Sequence, residues 1–234
     1  MVSKKKISKS KPYHCEYCGA GFSKESTLFA HMCEKKRRHL QKGEKHVVLG
    51  YQAFVAFYQK SLKQKNIKTY EEFCDSPYYN AFVKFGSYLN NVRPLYIEKY
   101  IEHIVTSGIK LDHWCRDEHY EKYVVELILK ESMETAVERS VETMLVWAEA
   151  NNSTWNHYFN YVNINRLTWD IRDGKISPWL VLNCKSGMQA LTKLSDEQLS
   201  MLENVLDPAH WTRKFKVQNA DYEIVKELVE KSGL

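Results

Sequence analysis

The sequence predicts a mainly α protein, with a small cysteine-rich unit at the N-terminus followed by an all-helical globular domain. Three observations predict it. Beyond Val47, apolar residues recur every three or four positions in segments punctuated by Pro77, Pro94 and Gly108, and no segment alternates as a strand does. The chain has 234 residues, 44% of them hydrophobic and 13% aromatic, enough to bury a sizeable core. Between Tyr13 and His39, by contrast, three of the six cysteines crowd into a stretch too short to hold a core of its own.

That stretch carries metal-ligand arithmetic. Cys15 and Cys18 stand two residues apart, and His31 follows Cys18 after twelve intervening residues, the spacing of a thiolate pair and an imidazole around tetrahedral zinc. Phe22 and Leu28 fall where two apolar side chains can pack a helix onto a hairpin. Residues 13–39 therefore resemble a C2H2-type zinc finger, and the resemblance implies a small ββα fold and a Zn²⁺ cofactor.

The resemblance breaks at the fourth ligand. A second histidine is due three to five residues after the first, but the position one helical turn beyond His31 is Lys35. On a continuing helix Cys33 would point roughly 200° away from His31, and His39 would lie about 12 Å further along the axis. Using Cys33 requires the helix to end or tighten at Met32, whereas using His39 requires about two turns of good helix formers to unwind. Cys33 is the smaller distortion and the expected ligand, with His39 as the alternative and His14 or His46 behind it.

Charge is uneven along the chain. Residues 1–45 hold twelve Lys and Arg against four acidic residues, a net of +8, and the remainder is −3. A basic end on a mildly acidic body is the footprint of a nucleic-acid contact, DNA before RNA. Lys24, Thr27 and Ala30 occupy the positions from which a DNA-reading finger contacts bases, but only Lys24 can reach a guanine edge, so the finger contributes phosphate binding more than sequence choice. The run Lys35, Lys36, Arg37 and Arg38 is expected to extend the finger helix and face phosphates.

In order, then, residues 1–12 read as a flexible basic arm, 13–45 as the finger with its basic extension, and 46–234 as the helical domain, with a possible sub-boundary at Asn151–Thr154. Ser23 and Glu25 suit the start of the finger helix. Val47 to Lys63 is an amphipathic helix, and Thr69-Tyr-Glu-Glu opens a short one with a capping box. Tyr78 to Val92, Leu95 to Val105, Tyr120 to Ile128 and Met133 to Ala148 follow at helical spacing. Beyond the break come short helices from Trp155, Arg166, Pro178, Asp196, Pro208 and Tyr222, with turns at Asp173-Gly174 and Ser186-Gly187. Most of Trp155, Trp169, Trp179 and Trp211 are expected in the core. A second polar cluster, Asp112, His113, Cys115, Asp117 and His119, lacks a paired Cys-x-x-Cys and reads as helix capping.

No phosphate loop, nucleophile elbow, His-Glu-x-x-His or dinucleotide fingerprint occurs. Asp170, Asp173, Glu71 and Glu72 read as helix surface, so an enzyme is not expected, although a nuclease with scattered carboxylates stays open. With no long apolar run and no apolar segment behind the N-terminal lysines, neither a membrane span nor a secretory signal is expected, and isolated thiols suit a reducing, intracellular compartment. Asp173-Gly-Lys-Ile-Ser-Pro-Trp-Leu-Val, Leu206-Asp-Pro-Ala-His-Trp and Gly50-Tyr-Gln-Ala-Phe, with the basic run, are similar to finger-bearing accessory proteins of tailed bacteriophages. That likeness implies a setting, host cytoplasm, and no mechanism. The function expected is zinc-dependent nucleic-acid binding in an accessory role. The alternative is an adaptor that docks on replication or transcription proteins.

Overall fold

The computed structural model describes residues 11–234, so most of the expected basic arm lies outside the described residues. These hold fifteen α-helices and one two-stranded sheet, the mainly α architecture that the apolar spacing predicts. No helix among them is long and apolar enough to cross a membrane. The chain divides into two compact units, Met1–Arg93 with Ile97–Cys115 and Pro94–Tyr96 with Arg116–Leu234. The division falls at Cys115, and the break at Asn151–Thr154, where Asn152 takes a positive φ of 49°, lies inside the second unit.

The first unit opens with the antiparallel pair β1 (Tyr13–His14) and β2 (Gly21–Phe22), in register Tyr13 to Phe22. Two short helices follow, α1 (Glu25–Ala30) and α2 (Glu34–Leu40). Four more build the body: α3 (Lys45–Ala56), α4 (Tyr70–Asp75), α5 (Tyr79–Val92) and α6 (Ile97–Thr106). The helix expected to run to Lys63 loosens into a π turn at Phe57–Ser61 and ends where Lys63 takes a φ of 52°. Thr69 and Glu72 form the expected capping box.

Phe54, Phe73, Phe82, Phe85 and Trp114 are almost wholly buried and meet at ring separations of 5 to 6 Å, the tilted and edge-on contacts that aromatic quadrupoles favour. The helices α3 and α5 cross at Gly50 and Gly86. A Cβ on Gly86 would lie 1.9 Å from the carbonyl oxygen of His46, and one on Gly50 would lie 2.7 Å from that of Phe82. Glycine is required here by the close approach of two backbones.

The second unit contains α7 (Asp117–Lys130), α8 (Met133–Ala150), α9 (Tyr158–Tyr161), α10 (Ile164–Arg172), α11 (Pro178–Val181), α12 (Lys185–Leu191), α13 (Asp196–Leu202), α14 (Pro208–Val217) and α15 (Asn219–Ser232). Ser186-Gly187, read as a turn, is inside α12. Gly187 is there because a side chain would strike the Val181 carbonyl, 2.5 Å away, and Cys184 caps the helix by accepting its amide. Of the four tryptophans, Trp179 and Trp211 are buried, Trp155 is half-buried and Trp169 is exposed.

Two buried charged groups of the second unit are paired. The Arg139 guanidinium donates to both carboxylate oxygens of Glu131, at 2.5 and 2.7 Å, and to the Gly174 carbonyl at 2.6 Å. Asp170, expected on a helix surface, is only 4% exposed and accepts from the Tyr158 hydroxyl at 2.8 Å.

Candidate metal centre

The two thiols of the N-terminal module come from a tight knuckle between β1 and β2. The Gly19 amide donates to the Cys15 carbonyl at 2.8 Å, and the Cys15 amide donates to that of Ala20 at 3.0 Å. Gly19 takes a φ of 72°, the left-handed conformation glycine adopts without penalty, and this closes the turn with both sulfurs on one side. The helix α1 starts at Glu25. Lys24, not Ser23, occupies its cap position, and no side chain caps it.

The fourth member of the cluster is set by the backbone after Ala30. The helix stops there. His31 is extended at φ −71°, ψ 122°, and Cys33 at φ −78°, ψ 163°. In extended chain, side chains two apart fall on the same side, so a pair that would diverge on a helix converges here and Met32 is left exposed. Cys33 then serves as the N-cap of α2, its sulfur accepting the Lys36 amide at 3.4 Å. The basic run is thus a second helix that starts at Cys33 and not an extension of α1.

The resulting cluster is Cys15, Cys18, His31 and Cys33, whose ligand atoms all lie within 4.8 Å of one another. Cys18 Sγ stands 3.3 Å from His31 Nε2, and Cys15 Sγ stands 3.9 Å from Cys33 Sγ. Bond lengths of ~2.1 to 2.3 Å to one central ion give tetrahedral edges of about 3.5 to 3.8 Å, close to these two separations, and the four residues could together hold one metal ion. The Phe22 ring lies 4.8 Å from the His31 ring, centroid to centroid, and fixes its orientation. The Lys36 ammonium donates to the His31 carbonyl at 3.3 Å.

Burial pushes the Cys15 thiol up, but the amides of Cys18 and Tyr17 and the neighbouring thiols outweigh it and hold the group below its ordinary value. At Cys18 the Ala20 amide favours the thiolate, yet burial and the Cys15 and Cys33 thiols prevail and hold it above. The two thiols are thus shifted in opposite directions, each by neighbouring thiols as well as by burial and backbone amides.

The other candidate ligands are elsewhere. His39, the alternative, is seated between Tyr17 at 5.1 Å and the edge of Tyr70 at 5.8 Å. His14 is exposed, and His46 faces the Glu44 carboxylate at 3.3 Å. Cys115 and His119 join no metal-capable group, and no second such group occurs among the described residues.

The six residues expected at phosphates divide. Lys24, Thr27 and Arg37 are exposed, and Lys36 is half-buried beside the cluster. Lys35 pairs with Asp75 at 2.6 Å. The Arg38 guanidinium is drawn into the body, donating to Glu34 and to the Cys74 carbonyl and lying 4.3 Å over the Tyr79 ring. The Tyr70 hydroxyl returns a bond of 2.7 Å to the Arg38 carbonyl. The run is thus partly a strut that seats the metal module on α4. Pairing across 36 residues left no mark in the local pattern of charge.

No family model matches the chain, and neither the curated proteins nor the solved structures contain a match. The likeness to bacteriophage accessory proteins rests on the quoted segments alone.

Proposed function

We propose that the chain is a zinc-dependent nucleic-acid-binding protein without catalytic activity of its own, DNA before RNA, that contacts phosphates through the surface around its metal module. The observation that carries the reading is the cluster itself. Three sulfurs and one imidazole nitrogen in tetrahedral reach select zinc among the abundant divalent ions, and they stand in the part of the chain that holds its excess positive charge. Lys24, Lys36 and Arg37 are the cations of the original six best placed for phosphate, with exposed Lys11, Lys42 and Lys45 beside them in sequence. Thr27 and Ala30 offer little to a base edge, so affinity should be electrostatic and tolerant of sequence.

The test is binding of the full-length chain to labelled DNA and RNA across a salt series, with and without a zinc chelator. Affinity that falls steeply with salt, and is lost on chelation, supports the reading. Absence of binding at low salt overturns it. An adaptor that docks on replication or transcription proteins is the second reading, favoured by Met32 and Leu40, 58% and 64% exposed beside the cluster and on α2. Such a contact would respond little to salt.

A further inference from the structure

Phe29 is 87% exposed, the most exposed large apolar side chain among the described residues. It plays no part in holding α1 on the hairpin, where Phe22 and Leu28 are half-buried. Leaving a whole aromatic ring in water forgoes the burial that normally stabilises such a residue.

The ring also belongs to a shaped site. A groove of about 330 Å³ runs between α1 and the segment that enters the cysteine knuckle. Glu25, Leu28 and Phe29 line one wall, His14 and Tyr17 the other, and Lys36 reaches it as well. At about 100° per residue, Glu25, Leu28 and Phe29 share one side of α1, and Thr27 and Ala30 occupy the opposite side. The groove is therefore distinct from the surface by which a finger helix reads a duplex.

We propose that this groove takes one unpaired base of a single-stranded nucleic acid, stacked on Phe29. The inference rests on the nucleic-acid reading above and names its substrate class. The volume stands at the low end of the ~300 to 1,000 Å³ of small-molecule sites, which suits one base and not a run of strand. An aromatic face accepts any base, consistent with a module that has little means of choosing sequence. Charge sets the orientation. Glu16 and Glu25 line the groove and repel phosphate from it, while Lys36, also in its lining, and exposed Lys24 and Arg37, next in the chain to Glu25 and Lys36, attract phosphate. The base enters and the backbone stays outside. A duplex keeps its bases stacked inside and has nothing to offer Phe29.

The experiment compares the full-length zinc-loaded protein with Phe29→Ala and Phe29→Trp, on a labelled single strand free of self-pairing and on the matching duplex. Because Phe29 is exposed, both variants keep the fold, which zinc stoichiometry and circular dichroism verify. The expected result is that Phe29→Ala weakens single-strand binding about tenfold or more, that Phe29→Trp restores it, and that duplex binding stays within about twofold. Wild-type affinity of Phe29→Ala for the single strand, or an equal loss on both substrates, overturns the base-stacking site while the nucleic-acid reading stands. If the wild-type chain binds neither substrate at low salt, both fail together.

Discussion

The sulfur of Cys33 accepts the backbone amide of Lys36 at 3.4 Å, so the residue that completes the metal cluster also caps the helix that fastens the cluster to the body. Metal chemistry and helix formation meet at one atom. A thiolate there satisfies one of the free amides at the start of α2 and suits the positive end of its dipole.

The first prediction concerns the ligand set. Cys33→Ala should lose stoichiometric zinc on metal analysis and lose a cap that contributes about 1 kcal/mol to α2. His39→Ala should retain one zinc per chain, because His39 packs between two tyrosines and lies outside the cluster. Zinc lost from the His39 variant and kept by the Cys33 variant would reverse the assignment.

Removing the metal tests how far its influence reaches. Without it the Cys15–Ala20 knuckle and the extended turn at His31–Cys33 lose the ion that holds them together, and α2 loses its thiolate cap. Hydrogen exchange on the chelated protein should show fast amides in the knuckle, α1 and the first turn of α2. The amides of α5 and α8 should stay protected, since their cores contain no ligand. Unchanged protection across the first turn of α2 would mean that Arg38 and Lys35 alone seat that helix.

The sequence made some of this legible and hid the rest, for physical reasons. Cys15, Cys18 and His31 are readable because their spacing reflects a local unit with little other means of support. The fourth ligand stayed open because it depends on the backbone conformation of two residues, and the strong helix formers from Glu34 to Arg38 say nothing of where the helix begins. The inward turn of Arg38 toward Cys74 and Tyr79, and the burial of Asp170 beside Tyr158, are pairings between distant positions. Helices were readable where Pro77, Pro94 and Gly108 punctuate them. The helix α12 was missed because Gly187, which looks like a turn, is there for close packing.

The crossing of α3 and α5 predicts an asymmetric response to one methyl group. Gly86→Ala places a Cβ 1.9 Å from the His46 carbonyl oxygen, where only backbone can move, so the helices must separate. Denaturant unfolding followed by tryptophan fluorescence, to which Trp114 is the contributor from the first unit, should show a loss of about 3 kcal/mol or more, at or beyond the upper end for overpacked cores. Gly50→Ala, at 2.7 Å, should cost less. Near-wild-type stability of Gly86→Ala would mean that the two helices do not approach as closely as described.

The pair Tyr158 and Asp170 gives a prediction in pH. Burial first, and then the Asp170 carboxylate beside it, push the Tyr158 phenol well above its ordinary value. A raised pKa in the folded state means that the stabilisation is fully present below the pKa of the unfolded phenol and is lost as pH rises beyond it. Folding stability should therefore fall above about pH 10, by ~1.4 kcal/mol per pH unit for each tyrosine held protonated. Tyr51, Tyr70, Tyr79 and Tyr123 are also shifted upward and add to the slope. Tyr158→Phe removes one of these protons and one donor to a buried carboxylate. It should cost about 1 to 3 kcal/mol at neutral pH, moderated because Arg166 still donates to Asp170 at 3.2 Å, and should flatten the alkaline slope by one proton. Equilibrium unfolding of both proteins between neutral and alkaline pH measures the two effects at once. Parallel curves would show that Tyr158 ionises freely in the folded protein, which the buried bond to Asp170 does not permit.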